Sequence, residues 1–174
     1  MLQLQHNLVL DVVQRLQDID AYAARLALAE LPVQIAGANS SIGWDDAAAL
    51  DAVLRSEAQA LAAAHPSIKF VRDFGCDTAR VSIHEQWLRR LARHLIRNAI
   101  QAIAADAAVR HITVRTRIKE SMAEVVVEDT GKGVRPDIRS SLFQQSIDQG
   151  GGGSGHGLLL VRFLAEQHGG YARL

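Results

Sequence analysis

The chain has 174 residues, 48% of them apolar, enough for one domain with a buried core and an appended segment. Nineteen basic residues cancel nineteen acidic ones, which argues against an electrostatic nucleic-acid binder and against an acidic disordered tail. A single cysteine, Cys76, rules out a disulfide within the chain. The apolar runs fall well short of a membrane span, and no secretory leader pattern opens the sequence. The expectation is a chain that works in the reducing cytoplasm, with no metal site built on its seven scattered histidines.

Residues 2–30 read as one long helix. Val9, Val12, Leu16, Ile19, Ala23 and Leu26 alternate in threes and fours, the seam of a coiled coil or bundle, and a homodimer through this helix is expected. Pro32 ends it. Residues 32–46 read as a linker, with loop composition at 37–43. Asp45 and Asp46 are positioned to cap an alanine-rich helix over 47–64, stopped by His65-Pro66. Short strands are predicted over 67–74 and 79–83. Ser82 and Glu85 have capping-box spacing, at the start of a helix over 84–104. Residues 112–118 alternate as a strand with one buried face, and 124–128 read as its hairpin partner. Pro136 suits a short helix reaching Phe143, and a last helix runs over 157–167 to Gly169-Gly170. A hairpin mixed with helices predicts a two-layer α/β sandwich with a mixed sheet, of the α+β kind, over a doubly wound fold.

Three local patterns carry chemistry. Asn98 shares a helix row with Leu91, Leu95 and Ala102, a row that should face inward. Two readings fit it: a satisfied core asparagine, or a hard oxygen donor for Mg2+. His94, one turn earlier, is either a surface residue lining a pocket or part of the chemistry. Asp129 ends the apolar run Val125-Val126-Val127, with Gly131 and Gly133 at alternate positions after it. It is either a turn residue bonded to its own backbone or an acceptor-only carboxylate that selects the amino group of adenine. The glycines let the backbone approach a base without a Cβ in the way. The cluster from Gly150 to Gly157 is either a flexible linker or an anion site, because an apolar helix starts directly after it. It is not a P-loop, since no Gly-Lys-Ser or Gly-Lys-Thr follows the glycines.

In this order and spacing the patterns resemble the catalytic ATP-binding domain of sensor histidine kinases, in the superfamily of gyrase, Hsp90 and MutL, over roughly residues 47–170. The resemblance implies a Bergerat-type ATP-binding fold over 47–174, with residues 1–31 standing for the second helix of a dimerisation hairpin. It implies ATP and Mg2+ as cofactors, with Asn98 as the Mg2+ ligand and His94 and Asn98 as the catalytic pair. It also implies nucleotide contacts from Gln101, Asp129, Gly131, Gly133, Phe143, Gly153, Gly155, His156, Gly157 and Leu158. A glutamate in the place of His94 would activate water, so His94 points to phosphoryl transfer instead of hydrolysis.

The implied activity is that of a histidine kinase, which transfers the γ-phosphoryl group to a histidine outside this segment and on to a response regulator. No phosphoacceptor motif is present; His6-Asn7-Leu8-Val9-Leu10 does not match it. The family's two further strands after His168-Gly169-Gly170 are represented by residues 171–174 alone, and the lid between the glycine boxes carries no lysine or arginine from 140 to 161. Two alternatives therefore stand beside the leading one: a degenerate nucleotide-binding and dimerisation module, and an anti-sigma-type serine kinase. A plain structural α/β domain is the fourth reading, and three boxes in the right order argue against it.

Overall fold

The computed structural model of the chain describes residues 26–34, 47–134 and 157–173. Their order is β1 (Leu26–Gln34), β2 (Ala48–Ala49), α1 (Leu50–Ala64), β3 (Lys69–Asp73), β4 (Arg80–Val81), α2 (Glu85–Ala102), β5 (His111–Lys119), β6 (Met122–Asp129), α3 (Gly157–Gln167) and β7 (Tyr171–Arg173). The strands form one mixed sheet of order β2-β4-β1-β6-β5-β3, with β7 also paired to β1. All described pairings are antiparallel except the parallel β3–β5 pair. Among the described residues no helix is long and apolar enough to cross a membrane.

The β5–β6 hairpin is the centre of the fold. Ile112, Val114 and Thr116 alternate along β5 and are fully buried, while Arg115 and Arg117 point the other way. Register places Val127 opposite Val114 and Val125 opposite Thr116, so one face is apolar and carries the helices. The other face is a charge ladder in which Arg115 and Arg117 both pair with Asp73 of β3. A two-residue connection joins the strands, and Glu120 takes φ 55° there, as the primed turns that match strand twist require.

The helices pack on the apolar face. α2 buries Leu88, Leu91, Leu95 and Ala99 on one stripe, and α1 contributes Leu50, Val53, Leu54 and Ala58. A buried polar knot ties α1 to the sheet. The Thr116 hydroxyl donates to Asp51 Oδ1 at 2.7 Å, and the Cys76 N–H donates to Asp51 Oδ2 at 2.7 Å. Burial pushes the Cys76 thiol above its ordinary pKa. α3 ends where Gly169 turns left-handed (φ 77°) and the Gly170 N–H returns to the Ala165 carbonyl at 2.8 Å.

Three expectations change. Residues 26–30 are not the end of a long helix, and 32–34 are not linker; together they form β1, inside the sheet. The stretch Leu26-Ala27-Leu28-Ala29-Glu30-Leu31 carries a two-residue period as well as the three-four spacing. Pairing with β6 over residues 26–32 and with β7 over 28–30 selects the former. Pro32 is tolerated because it falls between the stretch facing β7 and the stretch facing β4, where no strand hydrogen bond is asked of that edge. The rest of the expected helix, the expected caps Asp45 and Asp46, and the expected helix after Pro136 lie outside the described residues.

The second change is at α1. It begins at Leu50 instead of residue 47, because Ala48–Ala49 pair with Arg80–Val81 first. The third is at α2, which is capped by His84, whose Nδ1 accepts the Gln86 N–H at 3.2 Å. Glu85 does not close a capping box with Ser82; it pairs along the helix with Arg89 at 2.7 Å.

Candidate functional site

The site is built around the last turns of α2. Its inward row delivers Asn98 among apolar neighbours, and the residue is only 2% exposed. His94 stands one turn earlier and is half-buried. The N-terminus of α3 closes on both: a Cβ on Gly157 would stand 3.4 Å from Asn98 Oδ1 and 3.4 Å from His94 Nδ1. The amide oxygen of Asn98, the imidazole of His94 and the positive end of a helix dipole thus share one small space.

Asp129 enters from the sheet. It is the last residue of β6, paired in register with Ile112, and is 7% exposed. Its Oδ1 accepts the Gly131 N–H at 2.7 Å, so the turn reading of Asp129 is correct as far as that oxygen goes. When ionised, a carboxylate accepts hydrogen bonds and donates none. Gly131 lies flat against the end of α2: a Cβ there would be 2.6 Å from Ala102 Cβ and closer still to its carbonyl. The Lys132 N–H donates to the Ala102 carbonyl at 3.2 Å, and Gly133 is left-handed at φ 69°. The two glycine-bearing segments therefore reach the same helix about one turn apart, near Asn98 and near Ala102, roughly 6 Å along its axis.

Of the residues singled out in the sequence, the structure brings His94, Asn98 and Gly157 together at one end, and Asp129, Gly131 and Gly133 at the other. Gln101 is exposed near the end of α2. Leu158 is 3% exposed and belongs to the hydrophobic core. Phe143, Gly153, Gly155 and His156 lie outside the described residues. Sequence reasoning passed over Ala102, whose carbonyl receives the loop, and Thr130, whose hydroxyl ties the loop to β5. The only available signal was that Ala102 is a small residue on the asparagine row.

The arrangement can accept a polar base edge at the Asp129 end and an anion at the α3 end, where Asn98 adds one hard oxygen donor. That defines a nucleotide-binding α/β domain in which the Asp129–Gly133 turn and the start of α3 close on an asparagine helix. The model of the histidine kinase-, DNA gyrase B- and HSP90-like ATPases matches residues 83–174, just over half the chain, and the chain belongs to that family.

Among curated relatives, it is 27% identical over 114 residues to the sensory histidine kinase/phosphatase NtrB of Salmonella typhimurium, covering 60% of this chain and 32% of that protein. It is 32% identical over 103 residues to the sensor protein FixL of Bradyrhizobium diazoefficiens, covering 59% and 20%. The chain thus spans a third or less of the length of these relatives. Among solved structures, the mycobacterial sensor histidine kinase MprB superposes with a TM-score of 0.61 at 21% identity, covering 74% of this chain and 93% of that one. The catalytic domain of histidine kinase ThkA gives 0.61 at 16% identity, covering 72% and 90%. These two likenesses show the fold.

Proposed function

We propose that the chain is the ATP-binding catalytic core of a two-component sensor histidine kinase. It binds ATP with Mg2+ and passes the γ-phosphoryl group to a histidine of an acceptor domain of the same protein, and from there to a response regulator. The observation that carries this is the convergence of Asn98, His94 and the α3 N-terminus at one end of a site whose other end is the Asp129–Gly133 turn. Membership of the ATPase family and the names of NtrB and FixL support it.

In this reading the Asp129 carboxylate, an acceptor-only group when ionised, takes the adenine amino group. Guanine presents a carbonyl there, which a carboxylate repels. The N–H groups at the start of α3 and its dipole hold phosphate oxygens. Asn98 fits Mg2+ through its amide oxygen, and the absence of a Cβ at Gly157 leaves room beside that oxygen. Mg2+ keeps several waters and takes few protein ligands beside substrate phosphates, so the Asn98 amide oxygen would complete a set made mostly of phosphates and waters. When bound, the ion would supply neutralisation of phosphate charge. His94 lines the phosphate end, where a carboxylate base for water would be needed for hydrolysis. The chain works in the cytoplasm, and the homodimer expected through residues 2–30 rests on the part of that segment, residues 2–25, that lies outside the described residues.

Calorimetry with ADP and GDP tests the reading. Asp129→Ala should lose a charge-assisted hydrogen bond, about ten- to a hundredfold in ADP affinity. Asn98→Ala should weaken ATP binding in Mg2+ far more than in EDTA, with a thermal melt to show that it folds. Equal wild-type affinity for ADP and GDP would overturn the base assignment. The lid without lysine or arginine between residues 140 and 161 favours a second reading, a nucleotide-binding module without catalysis. ATP binding with no transfer to a supplied acceptor protein would select it.

A further inference from the structure

Thr130 sits between the two residues whose roles the sequence suggests, Asp129 and Gly131, and it is exposed. Its hydrogen bonds are nonetheless specific. The backbone N–H of Thr130 donates to the His111 carbonyl at 3.1 Å, adding one rung to the β5–β6 ladder beyond Asp129. Its hydroxyl accepts the His111 N–H at 3.0 Å and donates to the Val109 carbonyl at 2.9 Å. One side chain thus satisfies a donor and an acceptor on the segment that leads into β5. Two residues on, the Lys132 N–H is held by the Ala102 carbonyl of α2. The turn carrying Asp129 is pinned on both sides, by Thr130 to the entry of β5 and by Lys132 to the end of α2. Asp129 precedes both pins, and its Oδ1 reaches the loop between them, accepting the Gly131 N–H at 2.7 Å.

We propose that Thr130 is a positioning residue for base recognition: its hydroxyl fixes the end of β6 so that the Asp129 carboxylate is held in place for the adenine amino group. This rests on the reading of Asp129 above. A hydroxyl is needed because only a group that donates and accepts can serve both Val109 and His111. The β-branch suits the extended backbone at a strand end. Because the site is solvent-exposed, water replaces the lost hydrogen bonds at modest cost to folding, while the geometry of the carboxylate is loosened. The effect should therefore appear in nucleotide discrimination more than in stability.

Calorimetric titration of the full chain with ADP and GDP decides, using Thr130→Val, Thr130→Ser, Asp129→Ala and the double variant Asp129→Ala/Thr130→Val. Thr130→Val keeps shape and strand preference and should weaken ADP about three- to tenfold with little change for GDP. Thr130→Ser, which keeps the hydroxyl, should restore ADP affinity to within about twofold. In the Asp129→Ala background Thr130→Val should change nothing further, because a positioning residue acts only through the group it positions.

The proposal is overturned if Thr130→Val binds ADP as the wild type does, if it loses ADP and GDP equally, if Thr130→Ser fails as Thr130→Val does, or if the two single losses add in the double variant. If Asp129→Ala itself leaves ADP affinity unchanged, the base-recognition reading fails, and this inference with it. If Asp129→Ala loses ADP and Thr130→Val does not, the inference alone fails.

Discussion

Gly131 and Gly157 look alike in the sequence, each a glycine of a loop that meets α2, yet the structure separates them by a single methyl group. At Gly131 a Cβ would overlap the carbonyl and Cβ of Ala102, backbone that cannot swing aside. Gly131→Ala should therefore push the Asp129 turn off α2 and cost about 1–3 kcal/mol, the range of overpacking in a filled site. At Gly157 the same Cβ would stand in ordinary contact with two side chains, Asn98 and His94, at the first position of α3. Gly157→Ala should leave stability unchanged or raise it by up to about 1 kcal/mol through helix propensity.

Urea denaturation of the two variants checks the pair; equal destabilisation would mean that the Gly131 approach is not as close as described. The same scale shows what the sequence could reveal. The buried placement of Asn98 and Asp129 was legible because a polar side chain on an apolar row or at the end of an apolar strand is a visible anomaly. The Ala102 carbonyl and the two-sided hydroxyl of Thr130 were not, because backbone acceptors have no residue-type signature and an exposed threonine after an aspartate is unremarkable.

At the scale of elements, α1 and α2 are held by more than their apolar stripes. Glu57 of α1 is almost fully buried and accepts from Arg93 at 2.9 Å and from Arg89 at 2.9 Å. Burial pushes the Glu57 carboxyl up, but the hydrogen bonds and charges of Arg93 and Arg89 outweigh it and hold the pKa below the ordinary range. Asp73, against Arg117 and Arg115, is lowered in the same direction. A carboxyl depressed in the folded state contributes stability that is fully present above its unfolded pKa. That contribution is lost as pH falls through the lower folded value.

Glu57→Gln should accordingly cost about 1–3 kcal/mol at pH 7, the range of a hydrogen bond to a charged group, and progressively less below about pH 4. Denaturation of both proteins at pH 7 and pH 3 measures it. A gap that stays constant with pH would show that the loss is one of packing. None of this pairing was read from the sequence, where Glu57, Arg89 and Arg93 look like solvated helix residues. Helix extents and starts were legible from periodicity to within a few residues, whereas what fixes the starts of α1 and α2 was not. α2 takes its cap from a histidine ring, and α1 waits for a two-residue strand pairing that no local pattern announces.

At the scale of the whole molecule, the extent of the nucleotide-binding unit is the main revision. The hairpin, the mixed sheet and the helices from α1 onward follow the residue patterns, since each has one dominant period and a clear stop. β1 does not, because Leu26-Ala27-Leu28-Ala29 satisfies a helix and a strand equally and only long-range pairing with β6 and β7 decides between them. The unit therefore takes in residues 26–34, upstream of the segment that the family model matches.

The two descriptions make opposite demands on two side chains. Ala29 and Leu31 are off the helical seam and would be tolerant positions on a separate helix, but in β1 both are fully buried beneath the core. Leu31→Ala should then cost about 2–5 kcal/mol, as for other large-to-small changes in a core, and Ala29→Asp should unfold the sheet by placing a charge inside it. Because β1 is hydrogen-bonded to β6, which ends in Asp129, nucleotide affinity should fall with stability in both variants. Thermal melts with and without ATP on the full chain measure both. A Leu31→Ala protein that melts and binds as the wild type would return residues 26–34 to the appended segment and leave the nucleotide site complete without them.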